Sequence, residues 1–254
     1  MQVHAAQIHG LDSNPGAQAS ARKMVPANAR NAKQATALEM VRSDRVYLWV
    51  EFASLFFLIP TLLLFRGPSQ HWVIFAAFVL GTLGCYVVLR RDRGFDRKQL
   101  WNWAAAKRDL PRIIGLFLLF GAATTYLVWS FLPERFLNLP REMPGLWLRI
   151  MLIYPLISVI PQELIWRVFC FQRYRVIFRS PTAMILASSV AFAYVHVLLE
   201  NSIAIALTFV GGLLFSYTYH KTRSLAAASI EHALYGCMVF TIGLGWYFYM
   251  GSVL

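Results

Sequence analysis

Apolar runs of about 20 residues recur seven times along the chain, at about 46–65, 72–89, 113–132, 147–171, 182–200, 201–219 and 224–249. Each is long enough to cross roughly 30 Å of hydrocarbon as a helix. The runs are continuous, whereas the strands of a membrane β-barrel alternate apolar and polar residues, so the pattern argues against a barrel. It predicts an all-α fold, a polytopic transmembrane helical bundle of about seven spans. Residues 1–40 are rich in Ala, Asn, Gln and Ser, with no sustained apolar period. Such a segment cannot bury enough apolar surface to offset chain entropy and is expected to be mostly disordered. It lacks the apolar stretch of a signal peptide, and Met24 and Met40 stand as alternative starts. The expected division is a basic cytoplasmic tail over 1–44 and a transmembrane domain over 45–254.

Composition agrees with this pattern: 58% of the 254 residues are hydrophobic and only 14% charged, against about 25% charged in a soluble domain. The net charge of +12 invites comparison with nucleic-acid binders, but the charges follow topology instead. With the N-terminus cytoplasmic, nineteen of the 24 basic residues fall on inner segments and four on outer ones, Arg66, Arg135, Arg141 and Arg149. Only Arg167 remains. This is a positive-inside distribution, and no nucleic-acid partner is expected. Short loops and the absence of a targeting peptide fit a bacterial inner membrane, where the basic loops meet anionic headgroups.

The connections are predicted from their punctuation. The first two spans form a hairpin over Arg66-Gly67-Pro68, and a long basic loop follows at about 90–112, with Trp101 and Trp103 suited to an interfacial helix. Pro133, Pro140 and Pro144 predict an irregular outer loop over 133–146. The first three spans carry few polar side chains. Glu51 is the exception, close enough to the inner boundary to snorkel or to pair with Arg45. Cys85, Cys170 and Cys237 all fall in spans without metal-ligand spacing and read as packing residues. No internal repeat supports an inverted-repeat transporter.

Three polar clusters interrupt the later spans: Gln162-Glu163 with Arg167, His196 with Glu200, and Glu231-His232. Ionisable groups are costly in hydrocarbon and usually face a bundle interior or a wet cavity. Pro161 loosens the fourth span beside Glu163. Glu163 and Arg167 are one helical turn apart and suited to an ion pair; so are His196 and Glu200. Glu231 and His232 point about 100° apart, so both cannot face one point, and His232 is the better inward candidate. At 1.5 Å per residue, Glu163 and His232 each lie roughly 12 Å from the inner ends of their helices, and His196 roughly 21 Å. Asn201 is placed to cap the sixth span.

In order and spacing these segments resemble the CAAX prenyl endopeptidase and bacteriocin-processing family of intramembrane proteases, over about 147–240. The family pattern is Glu-Glu-x-x-x-Arg, then Phe-x-x-x-His, then His-x-x-x-Asn on successive helices. Here it reads Gln162-Glu163-x-x-x-Arg167, Phe192-x-x-x-His196 and His232-x-x-x-Gly236. The stretches Gly211-Gly212-Leu213-Leu214-Phe215 and Thr222-Arg223-Ser224-Leu225 also look like the family's last two core helices. Two positions depart from it. Gln162 replaces the first Glu and cannot act as a base, and Gly236 replaces the Asn.

The resemblance implies an intramembrane endopeptidase acting on a membrane-anchored or lipid-modified peptide. The expected catalytic residues are Glu163, His196 and His232, with Gln162, Arg167, Asn201 and Tyr235 in support. In this reading Glu163 and His196 activate a water and His232 donates to the oxyanion. Arg167 biases Glu163 or holds its helix, Gln162 offers an amide, and Asn201 or Tyr235 replaces the donor lost at Gly236. The resemblance implies a metal-free mechanism with no cofactor; a zinc set of Glu163, His196 and His232 is the alternative these side chains allow. Other readings of the clusters are a catalytically inactive peptide-binding, immunity or scaffolding protein of the same fold, and a transporter with a proton relay.

Overall fold

The computed structural model describes residues 44–65 and 71–248, and all of its regular elements are helical. The expected tail over 1–44, apart from Asp44, and the turn Arg66-Gly67-Pro68 lie outside the described residues. Seven helices are long and apolar enough to cross a membrane, and the chain is an all-α polytopic bundle. They are α1 (Asp44–Leu64), α2 (Trp72–Arg91), α3 (Trp103–Phe131), α5 (Pro144–Arg173), α6 (Pro181–Val195), α7 (Ser202–Thr222) and α8 (Leu225–Ile242). A short helix, α4 (Asn138–Glu142), lies between α3 and α5.

The connections differ most from expectation. The basic segment after α2 is not one long loop. Asp96 caps a 3-10 turn over Arg97–Leu100, and the Asn102 side chain then accepts the Ala105 amide, starting α3 at Trp103. Two side-chain caps six positions apart nucleate structure that the basic composition concealed. Trp101 and Trp103 stack with centroids 6.1 Å apart at the head of this span. The segment between α3 and α5 is not wholly irregular either. Pro140 lies within α4, and Pro144 takes the first position of α5, where its missing N–H is not needed. The last span stops at Ile242, because Gly243 turns left-handed with φ 107°.

Glu51 does not pair with Arg45. Arg173 at the C-terminal end of α5 holds it with two hydrogen bonds of 2.9 and 2.8 Å, and the Tyr174 hydroxyl donates a third at 3.0 Å. Arg45 instead donates to the Val176 carbonyl. Close by, Gln172 Nε2 and the Gly94 amide donate to Asp92, holding its carboxyl below the usual carboxylate range. These bonds fasten the C-terminal end of α5 to α1 and to the segment after α2.

The core lies where α5, α6, α7 and α8 meet. In α5, Pro155 and Pro161 remove backbone donors, and the helix widens to π-type turns over Pro155–Val159 and Leu164–Phe169. Small residues let α6 and α7 approach closely. Ser188 Oγ donates to the Trp166 carbonyl at 2.6 Å, and Ser216 Oγ donates to Ser188 Oγ at 3.1 Å. A Cβ on Gly212 would lie 3.1 Å from Ser189 Cα. The free cysteines Cys85 and Cys237 are half-buried and Cys170 is buried among core side chains.

Gly212→Ala is expected to lower stability by about 1–3 kcal/mol, as overpacking of a tight contact does. Gly115→Ala, where no atom lies within 4 Å of the added methyl, should leave stability unchanged or raise it by up to about 1 kcal/mol. Unfolding of both variants in detergent checks the contrast; equal responses would contradict the close approach of α6 and α7.

Candidate active site

The structure joins Glu163 on α5 to His232 on α8. His232 Nδ1 donates to Glu163 Oε1 at 2.8 Å, and the other carboxylate oxygen faces Arg167 Nε at 3.2 Å. Glu163 and Arg167 are fully buried and His232 is 5% exposed. Removing such a carboxylate from water is tolerable only with a paired charge and hydrogen bonds, and this arrangement supplies both. The Arg167 guanidinium makes no hydrogen bond within ordinary geometry. It lies instead over the Phe192 ring, 4.4 Å from the centroid, and 5.5 Å from that of Phe215.

The imidazole of His232 is fixed in plane as well as in direction. Phe215 stacks on it at 4.6 Å and 13°, and Phe192 meets it edge-on at 5.5 Å. Helix α8 is held in register from its N-terminal end. Ser224 Oγ accepts the Ala227 amide and donates to the Asn102 carbonyl, while Asn102 Nδ2 donates to the Thr222 carbonyl. Tyr154, one of the α5 residues, meets the outer face of the ring: its hydroxyl lies 3.1 Å from His232 Nε2. Because a carboxylate only accepts, Nδ1 carries the proton of a neutral His232, and Nε2 accepts from Tyr154.

His196 does not hydrogen-bond to either Glu163 or His232. Helix α6 ends at Val195, and His196 opens a 3-10 turn. Its Nδ1 donates to the Phe192 carbonyl at 2.7 Å, which leaves the lone pair on Nε2. Phe192 stands between the two histidines, 4.8 Å from the His196 ring. No bond joins His196 to Glu200, since the chain turns left-handed at Glu200, with φ 53°, and breaks the helical spacing.

The remaining residues divide between the site and the scaffold. Gln162 Nε2 donates to Ser158 Oγ at 2.6 Å. Asn201 accepts the amides of Ile203 and Ala204 as the cap of α7. The Tyr235 hydroxyl is buried without a hydrogen-bond partner. Glu231 points away from His232, accepting from Thr218 Oγ1 and lying 3.8 Å from Arg112, which Asp109 and Lys221 flank in an ionic cluster.

A cavity of about 1020 Å³ reaches this region, lined mainly by apolar side chains. Among its walls are Tyr154, Ser158, Gln162, His196, His232 and Gly236. Glu163 and Arg167 are not among them; His232, Phe192 and Phe215, which they contact, are. Among the described residues, no group of three or more His, Cys, Asp and Glu side chains is gathered so as to hold a metal. Tyr154 was not selected from sequence. A tyrosine eight residues before Gln162 carries no motif, and its contact with His232 spans 78 positions.

The family model of type II CAAX prenyl endopeptidase Rce1-like proteins matches residues 144–250. The matched segment is similar to that family. It holds α5 through α8, and with them every group just described around the cavity. No curated protein and no solved structure matches the chain.

Glu163→Gln or Arg167→Met alone should each cost about 3–5 kcal/mol, because each strands a buried partner. The double variant Glu163→Gln/Arg167→Met is expected to recover much of that loss. Unfolding in detergent reads all three; additive losses would contradict a buried ion pair.

Proposed function

We propose that the protein is an intramembrane endopeptidase that hydrolyses a peptide bond in a lipid-modified or membrane-anchored polypeptide. The observation that carries this reading is the opening of His196, His232, Gln162 and Tyr154 onto one apolar cavity, within a segment similar to an endopeptidase family. An apolar wall suits a lipid-bearing substrate, and a few convergent polar groups suit one reacting bond.

His196 is the general base in this proposal. Its Nδ1 proton is committed to a backbone carbonyl, so Nε2 presents a lone pair towards the cavity. The water oxygen attacks the scissile carbonyl carbon as its proton passes to His196 Nε2. Collapse of the tetrahedral intermediate breaks the C–N bond, and His196 returns the proton to the leaving amine. Gln162 Oε1 accepts from the water and orients it, a task an amide performs without being a base. Glu163 takes a different role from the one expected from sequence. Buried and committed to His232 and Arg167, it fixes the direction and tautomer of His232 rather than meeting water. The substrate approaches from the bilayer, the N-terminus is cytoplasmic, and the membrane is a bacterial inner membrane, as the basic loops support.

Purified protein in liposomes should cleave a quenched-fluorescent farnesylated CAAX peptide, and His196→Ala should reduce kcat by about 10²–10⁴-fold. Wild-type protein that binds this peptide without cutting it would favour a non-catalytic binding protein instead.

A further inference from the structure

Resting on the hydrolase reading above, we propose that Tyr154 is a catalytic residue whose hydroxyl donates to the developing oxyanion, and that Gly236 is the steric condition for its presence. Tyr154 enters from α5, opposite the α8 face that carries both His232 and Gly236. Tyr154 lines the cavity, and its hydroxyl lies 3.1 Å from His232 Nε2. The ring packs edge-on against His232 at 6.2 Å and against Phe240 at 5.4 Å, so the hydroxyl is held at one place.

Gly236 is one helical turn beyond His232. A Cβ there would lie 2.5 Å from both Tyr154 Cε1 and its hydroxyl oxygen. Carbon and oxygen do not approach so closely, and a tyrosine ring between two helices cannot yield as a flexible chain end does. Any side chain at 236 therefore displaces Tyr154 from His232. The glycine, which in sequence reads only as the loss of a donor, makes room for another donor from a different helix.

The hydrogen-bond directions give the hydroxyl its function. With Nδ1 donating to Glu163, the neutral His232 accepts the Tyr154 proton at Nε2. A substrate carbonyl that becomes an oxyanion in the cavity is a stronger acceptor than an imidazole nitrogen, since charged acceptors form shorter and stronger bonds. The O–H then turns about its C–O bond towards the oxyanion. No proton is transferred: the tyrosine remains neutral, and the water proton still travels through His196. Such a donor acts more strongly on the transition state than on the bound substrate, so its removal affects kcat rather than KM.

The test uses full-length protein in liposomes and the quenched-fluorescent farnesylated CAAX peptide, with folding checked by thermal unfolding and rates taken per folded molecule. Tyr154→Phe is expected to lower kcat by about 10²–10³-fold, the effect of removing one oxyanion donor, with KM within about twofold. Gly236→Ala should give a similar loss in the wild-type background. In a Tyr154→Ala background it should add less than about twofold, because coupled residues do not contribute additively. A Tyr154→Phe variant with wild-type kcat, a loss confined to KM, or additive losses in the double variant would each overturn the role of Tyr154 while leaving the hydrolase reading in place. Wild-type protein that does not cleave the peptide would overturn both.

Discussion

A fully buried carboxylate cannot be left alone in hydrocarbon, and the arrangement of α5 to α8 follows from that constraint at Glu163. One oxygen accepts a hydrogen bond from His232 and the other faces Arg167. The first contact ties α5 to α8, and the second lies within the widened turn that Pro161 helps to create. Arg167, short of hydrogen bonds, draws the faces of Phe192 and Phe215 towards its charge. The same two rings confine the His232 imidazole. One buried charge thus sets the positions of an arginine, a histidine and two aromatic rings from four helices.

This core gives the cavity a particular chemistry. The Glu163–Arg167 pair lies outside the wall, whereas His232, His196, Gln162 and Tyr154 line it. His232 is oriented from behind by Glu163, and His196 by the end of its own helix. An apolar cavity with directed polar groups excludes bulk water while holding the few atoms a hydrolysis needs. Separating orientation from contact in this way also makes sense of an amide at Gln162, where a carboxylate would be a further charge to solvate.

The fold was largely legible in the sequence because continuous apolar runs and the sorting of basic residues are local properties. The ends of the spans were less so. Asn102 and Asp96 act as caps through hydrogen bonds only a few residues long, yet they lie in a stretch whose charge suggested a loop. At the site, the four-residue spacing of Glu163 and Arg167 and the equal depths of Glu163 and His232 were readable from helical geometry. Partners set by packing between distant segments were not. Arg173 reaches Glu51 across 122 positions, and Tyr154 reaches His232 across 78. Gly236 shows the limit most plainly: only the tyrosine that fills the space beside it explains the absent side chain.

The central claim is that water held at this cavity cleaves a peptide bond with His196 as its base. Mass spectrometry of the peptide product formed in ¹⁸O-labelled water tests it most directly. The account predicts one labelled oxygen in the new carboxyl group with the wild-type protein, and product formation reduced to near background with His196→Ala. Unlabelled product, or labelled product formed at the wild-type rate by His196→Ala, would contradict it.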